Sequence, residues 1–219
     1  MSFGLKITTE PATEIITTAL AKTYLQVTDS NSDTLIDTLI TAARREVERI
    51  TERALIDQTW QLDLDAAPVG GASLNDLKAA TGWPIDANLP GLTSAILLPK
   101  SPLSSITSIV YFDQDNSEST FSSASYRADT THTPGRVVLN DGYSWPSDLR
   151  ETQSIRITYV VGYGTTASSV PPPLITAAYQ ILYNLYHDRG SGHDPAEIQD
   201  STTKTEKTLR SWRVGGYIL

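Results

Sequence analysis

Val47-Glu48-Arg49-Ile50-Thr51-Glu52-Arg53-Ala54-Leu55-Ile56-Asp57-Gln58-Thr59-Trp60-Gln61-Leu62-Asp63-Leu64-Asp65 changes its hydrophobic period near its midpoint. Up to Ile50 the apolar residues continue a pattern of three- and four-residue steps. Leu35, Ile36, Leu39, Ile40, Ala43, Val47 and Ile50 form one stripe of a helix predicted over Ser32 to Arg53. From Trp60 the period is two. Trp60, Leu62 and Leu64 alternate with Gln61, Asp63 and Asp65, which predicts a half-buried strand whose polar side, both carboxylates included, meets solvent.

On the N-terminal side, Thr17 to Val27 reads as a first, weaker helix, and Asn31 or Ser32 can cap the second. Arg44, Arg45, Glu46, Glu48 and Arg49 fall largely off the apolar stripe and read as a solvated face of alternating charge. On the C-terminal side, residues 66–94 are rich in Gly, Pro, Ala and Asp and form a long excursion, expected to be mobile or ordered by a partner. Strands follow at Ala95 to Leu98, Ser105 to Phe112, Ser125 to Ala128, Arg136 to Leu139 and Ser154 to Gly162. Asp113 to Ser119 is a polar turn between two of them.

The triple proline Pro171 to Pro173 stops the sheet and opens another helix, since proline fits a first helical turn. Its stripe is Leu174, Ala177, Ala178, Ile181, Leu182 and Leu185, with Gly190 and Gly192 as the stop. A short helix over Thr205 to Arg213 precedes the ending. The expected fold class is α+β: a helical bundle with an inserted small antiparallel β domain and an extended C-terminal tail. The boundaries are 1–55 (N-terminal helical part), 56–164 (β domain), 165–213 (C-terminal helical part, packing with the N-terminal helices) and 214–219 (tail).

Bulk composition narrows the function. The 219 residues carry 17 Lys and Arg against 25 Asp and Glu, a formal charge of -8, which argues against tight binding to a phosphate backbone. An acidic surface can still line a passage along which DNA slides. There is no cysteine, hence no disulfide, thiolate metal site or thiol nucleophile. No apolar run reaches the roughly 20 residues of a membrane span, and the start lacks a secretion signal, so folding in a cytoplasm is expected.

Chemistry-bearing patterns are missing. His132, His187 and His193 are dispersed, Gly162-Tyr163-Gly164 lacks the third glycine and following helix of a nucleotide fingerprint, and neither a GxSxG elbow nor a P-loop occurs. No catalytic residue, cofactor or metal is expected. Trp60, Trp83, Trp145 and Trp212 are scattered, which suits core and interface roles. The ending Trp212-Arg213-Val214-Gly215-Gly216-Tyr217-Ile218-Leu219 is apolar and needs cover, and this chain's own core and a partner's groove both supply it.

Several segments in order resemble one family. They are Ala21-Lys22-Thr23-Tyr24-Leu25-Gln26-Val27, then Ala42-Ala43-Arg44, then Arg53-Ala54-Leu55-Ile56 leading to Gln58-Thr59-Trp60, and in the β region Pro102-Leu103, Ile106-Thr107-Ser108-Ile109, Gly135-Arg136, Trp145-Pro146 and Ile157-Thr158-Tyr159-Val160-Val161-Gly162-Tyr163-Gly164. The sequence resembles the head-tail connector, or head-completion adaptor, family of long-tailed bacteriophages. The resemblance runs from Glu10-Pro11 to about Arg213 and does not cover the 66–94 excursion. It implies a structural virion protein of the neck, assembled in the bacterial host cytoplasm. About twelve copies would form a homo-oligomeric ring under the portal protein, and the next neck or tail-completion protein would attach to it. DNA would pass through its channel without specific binding, and no membrane is involved. Arg210, Trp212, Arg213, Val214, Gly215, Gly216, Tyr217, Ile218 and Leu219 are then the candidate portal-docking residues. The alternative is a tail or baseplate β-domain module that binds cell-surface carbohydrate through Trp83, Trp145 and nearby tyrosines.

Overall fold

The computed structural model describes residues 3–67, 95–187 and 205–214. The 68–94 part of the excursion, the Gly190 and Gly192 stop and the last five residues lie outside them. Two compact units divide the described residues: a β unit of 3–10, 58–67 and 95–162, and a helical unit of 11–57, 163–187 and 205–214.

The β unit holds two antiparallel sheets. Strands β1 (Phe3–Thr9), β2 (Gln58–Leu64), β8 (Ile155–Val161), β4 (Leu103–Phe112) and β5 (Glu118–Thr120) lie in that order in the larger one. The smaller contains β3 (Ile96–Leu97), β7 (Arg136–Leu139) and β6 (Tyr126–Asp129). The strongest alternation in the sequence becomes the central strand β8, with Ile155, Ile157, Tyr159 and Val161 buried and the residues between them half-buried. Leu62 of β2 and Ile109 of β4 flank Ile157 on either side, so one apolar row crosses three strands. Tyr159 is fully buried, and its hydroxyl donates to the Pro99 carbonyl at 2.9 Å, which satisfies the one polar atom of that side chain.

Three expectations change here. Phe3–Thr9, ahead of the helices in a stretch expected to be helical, is a strand that pairs antiparallel with β2 across most of its length. Glu118–Thr120, at the end of the expected polar turn, is the short edge strand β5. Asp63 is not solvated: it is 8% exposed, opposite Arg156 in register, and accepts from Arg156 Nε at 2.9 Å and from Gln61 Nε2 at 2.7 Å. With β1 on one side and β8 on the other, β2 is an interior strand, and on its polar side Gln61 and Asp63 are buried while Asp65 is half-buried.

The helical unit comprises α1 (Thr18–Leu25), α2 (Asp33–Thr51), α3 (Pro172–His187) and a helical stretch at 205–210. Thr17 caps α1, its side chain accepting from the Leu20 amide. Ser32 stands at the N-cap of α2 but gives no side-chain bond. The predicted stripes pack together: Ile36, Ile40, Ala43 and Val47 of α2 join Leu174, Ala177, Ala178 and Leu182 of α3, with Ala21 and Leu25 of α1 and Leu209. Arg44 departs from its expected solvated face. It is 2% exposed and clamped by Glu14, at 2.8 Å from Nε, and by Glu48, at 2.9 Å from Nη1. Glu48 also accepts from the Leu55 amide at 2.9 Å, so this network ties the segment before α1 to α2 and to the chain just after it. The α+β class expected from the sequence is the class observed, with antiparallel pairing throughout the described strands.

Candidate assembly surface

The docking candidates begin on the helical stretch at 205–210, which one face fastens to the unit. Thr205 is buried and its Oγ1 donates to Gln180 Oε1 of α3 at 2.7 Å, while Leu209 is wholly buried in the core. Trp212 packs against the same core, and its carbonyl accepts from Arg53 Nε at 2.7 Å. Arg53 reaches the Tyr163 hydroxyl with Nη1 at 3.1 Å. Burial holds the Tyr163 phenol above its usual range, with the Arg53 cation opposing that shift. Val214 is buried, and its amide donates to the carbonyl of Thr51, the last residue of α2, at 2.9 Å. Thr205, Leu209 and Trp212 recur at helical spacing, a signal for this inward face that was visible in the sequence.

The structure thus divides the candidates. Trp212 and Val214 are engaged by this chain's own core. Arg210 and Arg213 point outward: the Arg210 side chain is 72% exposed, with Glu206 Oε2 at 3.8 Å, and Arg213 is exposed. Gly215, Gly216, Tyr217, Ile218 and Leu219 lie outside the described residues.

Other candidate chemistry resolves into structure. Gly164 has φ +143°, and a side chain there would meet Ser169, which explains the glycine. Next to it, the Tyr163 amide donates to the Leu55 carbonyl at 3.2 Å and the Asp57 amide to the Gly164 carbonyl at 3.0 Å, so the Gly-Tyr-Gly turn fastens the chain beside 55–57. Among the described residues no group of three or more His, Asp or Glu side chains could hold a metal ion. His187 lies against Tyr183, ring centroids 4.1 Å apart. Trp145 is 9% exposed and stacked on Phe121 at 5.0 Å, so it presents little free face to a sugar, and Trp83 lies outside the described residues. No described helix is long and apolar enough to cross a membrane.

These elements define an α+β chain with a helical unit and a two-sheet β unit. The fold recurs, almost end to end, in solved particle structures. A chain in the neck of an empty gene transfer agent particle computed with C6 symmetry superposes with a TM-score of 0.71 at 18% identity, covering 99% of this chain and 97% of that one. A chain in the virion of the native gene transfer agent particle gives 0.66 at 18% identity, over 98% and 97%. One in the neck of the native particle computed with C12 symmetry gives 0.62 at 19% identity, over 97% and 98%. No family model and no curated protein matches the sequence. At these identities the likeness establishes a shared fold, and it agrees with the connector resemblance drawn from the sequence.

Proposed function

We propose that the chain is a structural, non-enzymatic subunit of the neck of a phage-like particle: a head-tail connector that forms a ring beneath the portal, extends the DNA channel and offers the tail its attachment surface. The supporting observation is the near-full-length fold shared with neck chains, at a TM-score of 0.71 over 99% of this chain. Symmetries of six and twelve in the neighbouring necks favour a closed ring with a copy number from that series, and about twelve is the number proposed. The charge of -8 suits a channel through which DNA slides without being held. In this reading Arg210 and Arg213 meet acidic portal groups, Gly215 to Leu219 enter a portal groove, and Trp212 and Val214 root that tail in the subunit.

The test mixes the purified chain with portal rings and images the product by negative-stain microscopy. Portals that gain one added ring of density support the proposal. Portals left bare at saturating chain concentration contradict it.

A further inference from the structure

We infer that neighbouring copies meet through two unlike patches of the helical unit, an aromatic ridge on one copy seating in an apolar groove of the next; this rests on the ring reading above. Of the six large apolar side chains exposed among the described residues, five are in this unit: Leu20, Tyr24, Leu35, Tyr183 and Leu185. Most of them sort into two places. Leu20, 55% exposed, and Tyr24, 45% exposed, are one turn apart on α1, and the Tyr24 ring lies 4.8 Å from Tyr179 and 6.3 Å from Tyr183 of α3. This is the ridge. The groove, about 360 Å³, opens between α2, α3 and the 205–210 stretch, with Ala42, Ile50, Ile181 and Leu185 as its apolar lining and Glu46 and Glu206 among its polar lining.

The two patches occupy different flanks of α3. Leu174, Ala178 and Leu182 mark the direction of the core. Successive residues turn by about 100° around a helix, which leaves Tyr183 and Leu185 about 160° apart. A subunit of a cyclic ring needs this arrangement, because each copy must offer one face to the copy before it and a complementary, different face to the copy after it. A single self-complementary patch would stop at a dimer. The polar chemistry also matches: the ridge carries tyrosine hydroxyls that can donate, and the groove carries two carboxylates that accept. Glu46 already holds Arg49 at 2.7 Å, yet a carboxylate retains lone pairs for a further donor.

Because the chain has no cysteine, introduced thiols are unique reporters. Particles assembled with the double variant Leu20→Cys and Glu206→Cys are treated with a short bis-maleimide and separated under denaturing conditions. A second pair, Tyr24→Cys with Leu185→Cys, repeats the test should the first disturb folding. The expected result is a ladder of linked copies reaching the full ring number from a pair, and only single chains from any variant with one cysteine. Unlinked chains from both pairs, in particles whose neck contains the ring, overturn the ridge-and-groove contact and leave the ring reading standing. Dimers from a one-cysteine variant overturn it in favour of a self-complementary face. A neck without a ring of this chain overturns the ring reading, and the contact with it.

Discussion

Arg53 Nε donates to the Trp212 carbonyl at 2.7 Å across 159 residues of sequence, and so joins the exit of α2 to the root of the C-terminal segment. The same guanidinium bonds the Tyr163 hydroxyl, so one side chain holds three separate stretches of the helical unit. Hydrogen bonds from a charged group contribute about 1.5 to 3 kcal/mol each, less where solvent reaches them. Arg53→Ala is expected to lower unfolding stability by about 2 kcal/mol and to increase amide exchange at 209–214 before the rest of the unit. Urea unfolding with site-resolved hydrogen exchange measures both. Unchanged exchange at Val214 would show that the segment is held without Arg53.

The buried Arg44 gives a second expectation. Removing one partner of a buried ion pair leaves the other uncompensated and costs about 3 to 5 kcal/mol, and truncation to alanine adds the cost of a cavity that a side chain of similar length fills. Arg44→Ala should therefore destabilise the helical unit strongly. Arg44→Met should destabilise it less because it fills more of the space, while in both variants Glu48 retains a bond from the Leu55 amide and Glu14 one from Thr41 Oγ1 at 2.9 Å. Denaturant midpoints of the two variants check the order, and equal losses would point to the lost ion pairs alone.

Asp129 supplies a pH dependence in the β unit. Bonds from Thr131 Oγ1 and Arg136 Nε, at 2.8 and 2.7 Å, hold its carboxyl down to about 2. A carboxylate whose folded pKa lies below its unfolded value of about 3.9 stabilises the fold above that value, and the contribution fades as pH falls toward the folded pKa. Asp129→Asn should therefore weaken the β6–β7 hairpin by a constant margin above about pH 4, with the gap to the unsubstituted chain closing between there and pH 2. Hydrogen exchange of residues 126–139, compared at matched pH, reads this. A gap independent of pH would remove the carboxylate from the explanation.

The division of the C-terminal segment predicts two different truncation phenotypes. Ending the chain after Val214 keeps the buried valine and its bond to Thr51, so the isolated fold should unfold at the same midpoint while portal attachment is lost. Ending it after Trp212 or Arg213 removes a buried side chain worth roughly 1.5 to 3 kcal/mol, so stability should fall as well. Thermal unfolding of the two truncations, paired with a portal pull-down, separates the effects. Portal attachment by the chain ending at Val214 would place docking elsewhere.

The parts legible in the sequence were those encoded locally. α2 and α3 carry long apolar stripes, β8 alternates cleanly, and the junction at Arg53 to Trp60 switches period within a few residues. The parts missed depend on distant partners. Phe3, Leu5 and Ile7 alternate, but the strand they belong to pairs with Trp60, Leu62 and Leu64, more than fifty residues away, and no adjacent turn announces the pairing. Arg44 is buried because Glu14 lies 30 positions earlier, and Asp63 because Arg156 lies 93 later. Charge reads as exposure until its partner is known. Apart from the helical spacing of Thr205, Leu209 and Trp212, the Trp212 to Val214 root was legible as an apolar ending that needed cover, since sequence alone does not say whose surface supplies it.

The most direct measurement is the structure of the neck in particles made by the cell that encodes this chain, determined by electron cryomicroscopy without imposed symmetry. The account predicts a closed ring of this chain between portal and tail, with its residues 210–219 against the portal and the Leu20–Tyr24 ridge of each copy in the Ile50–Leu185 groove of the next. Density for this chain at the distal end of the tail, or a neck built without it, would contradict the account.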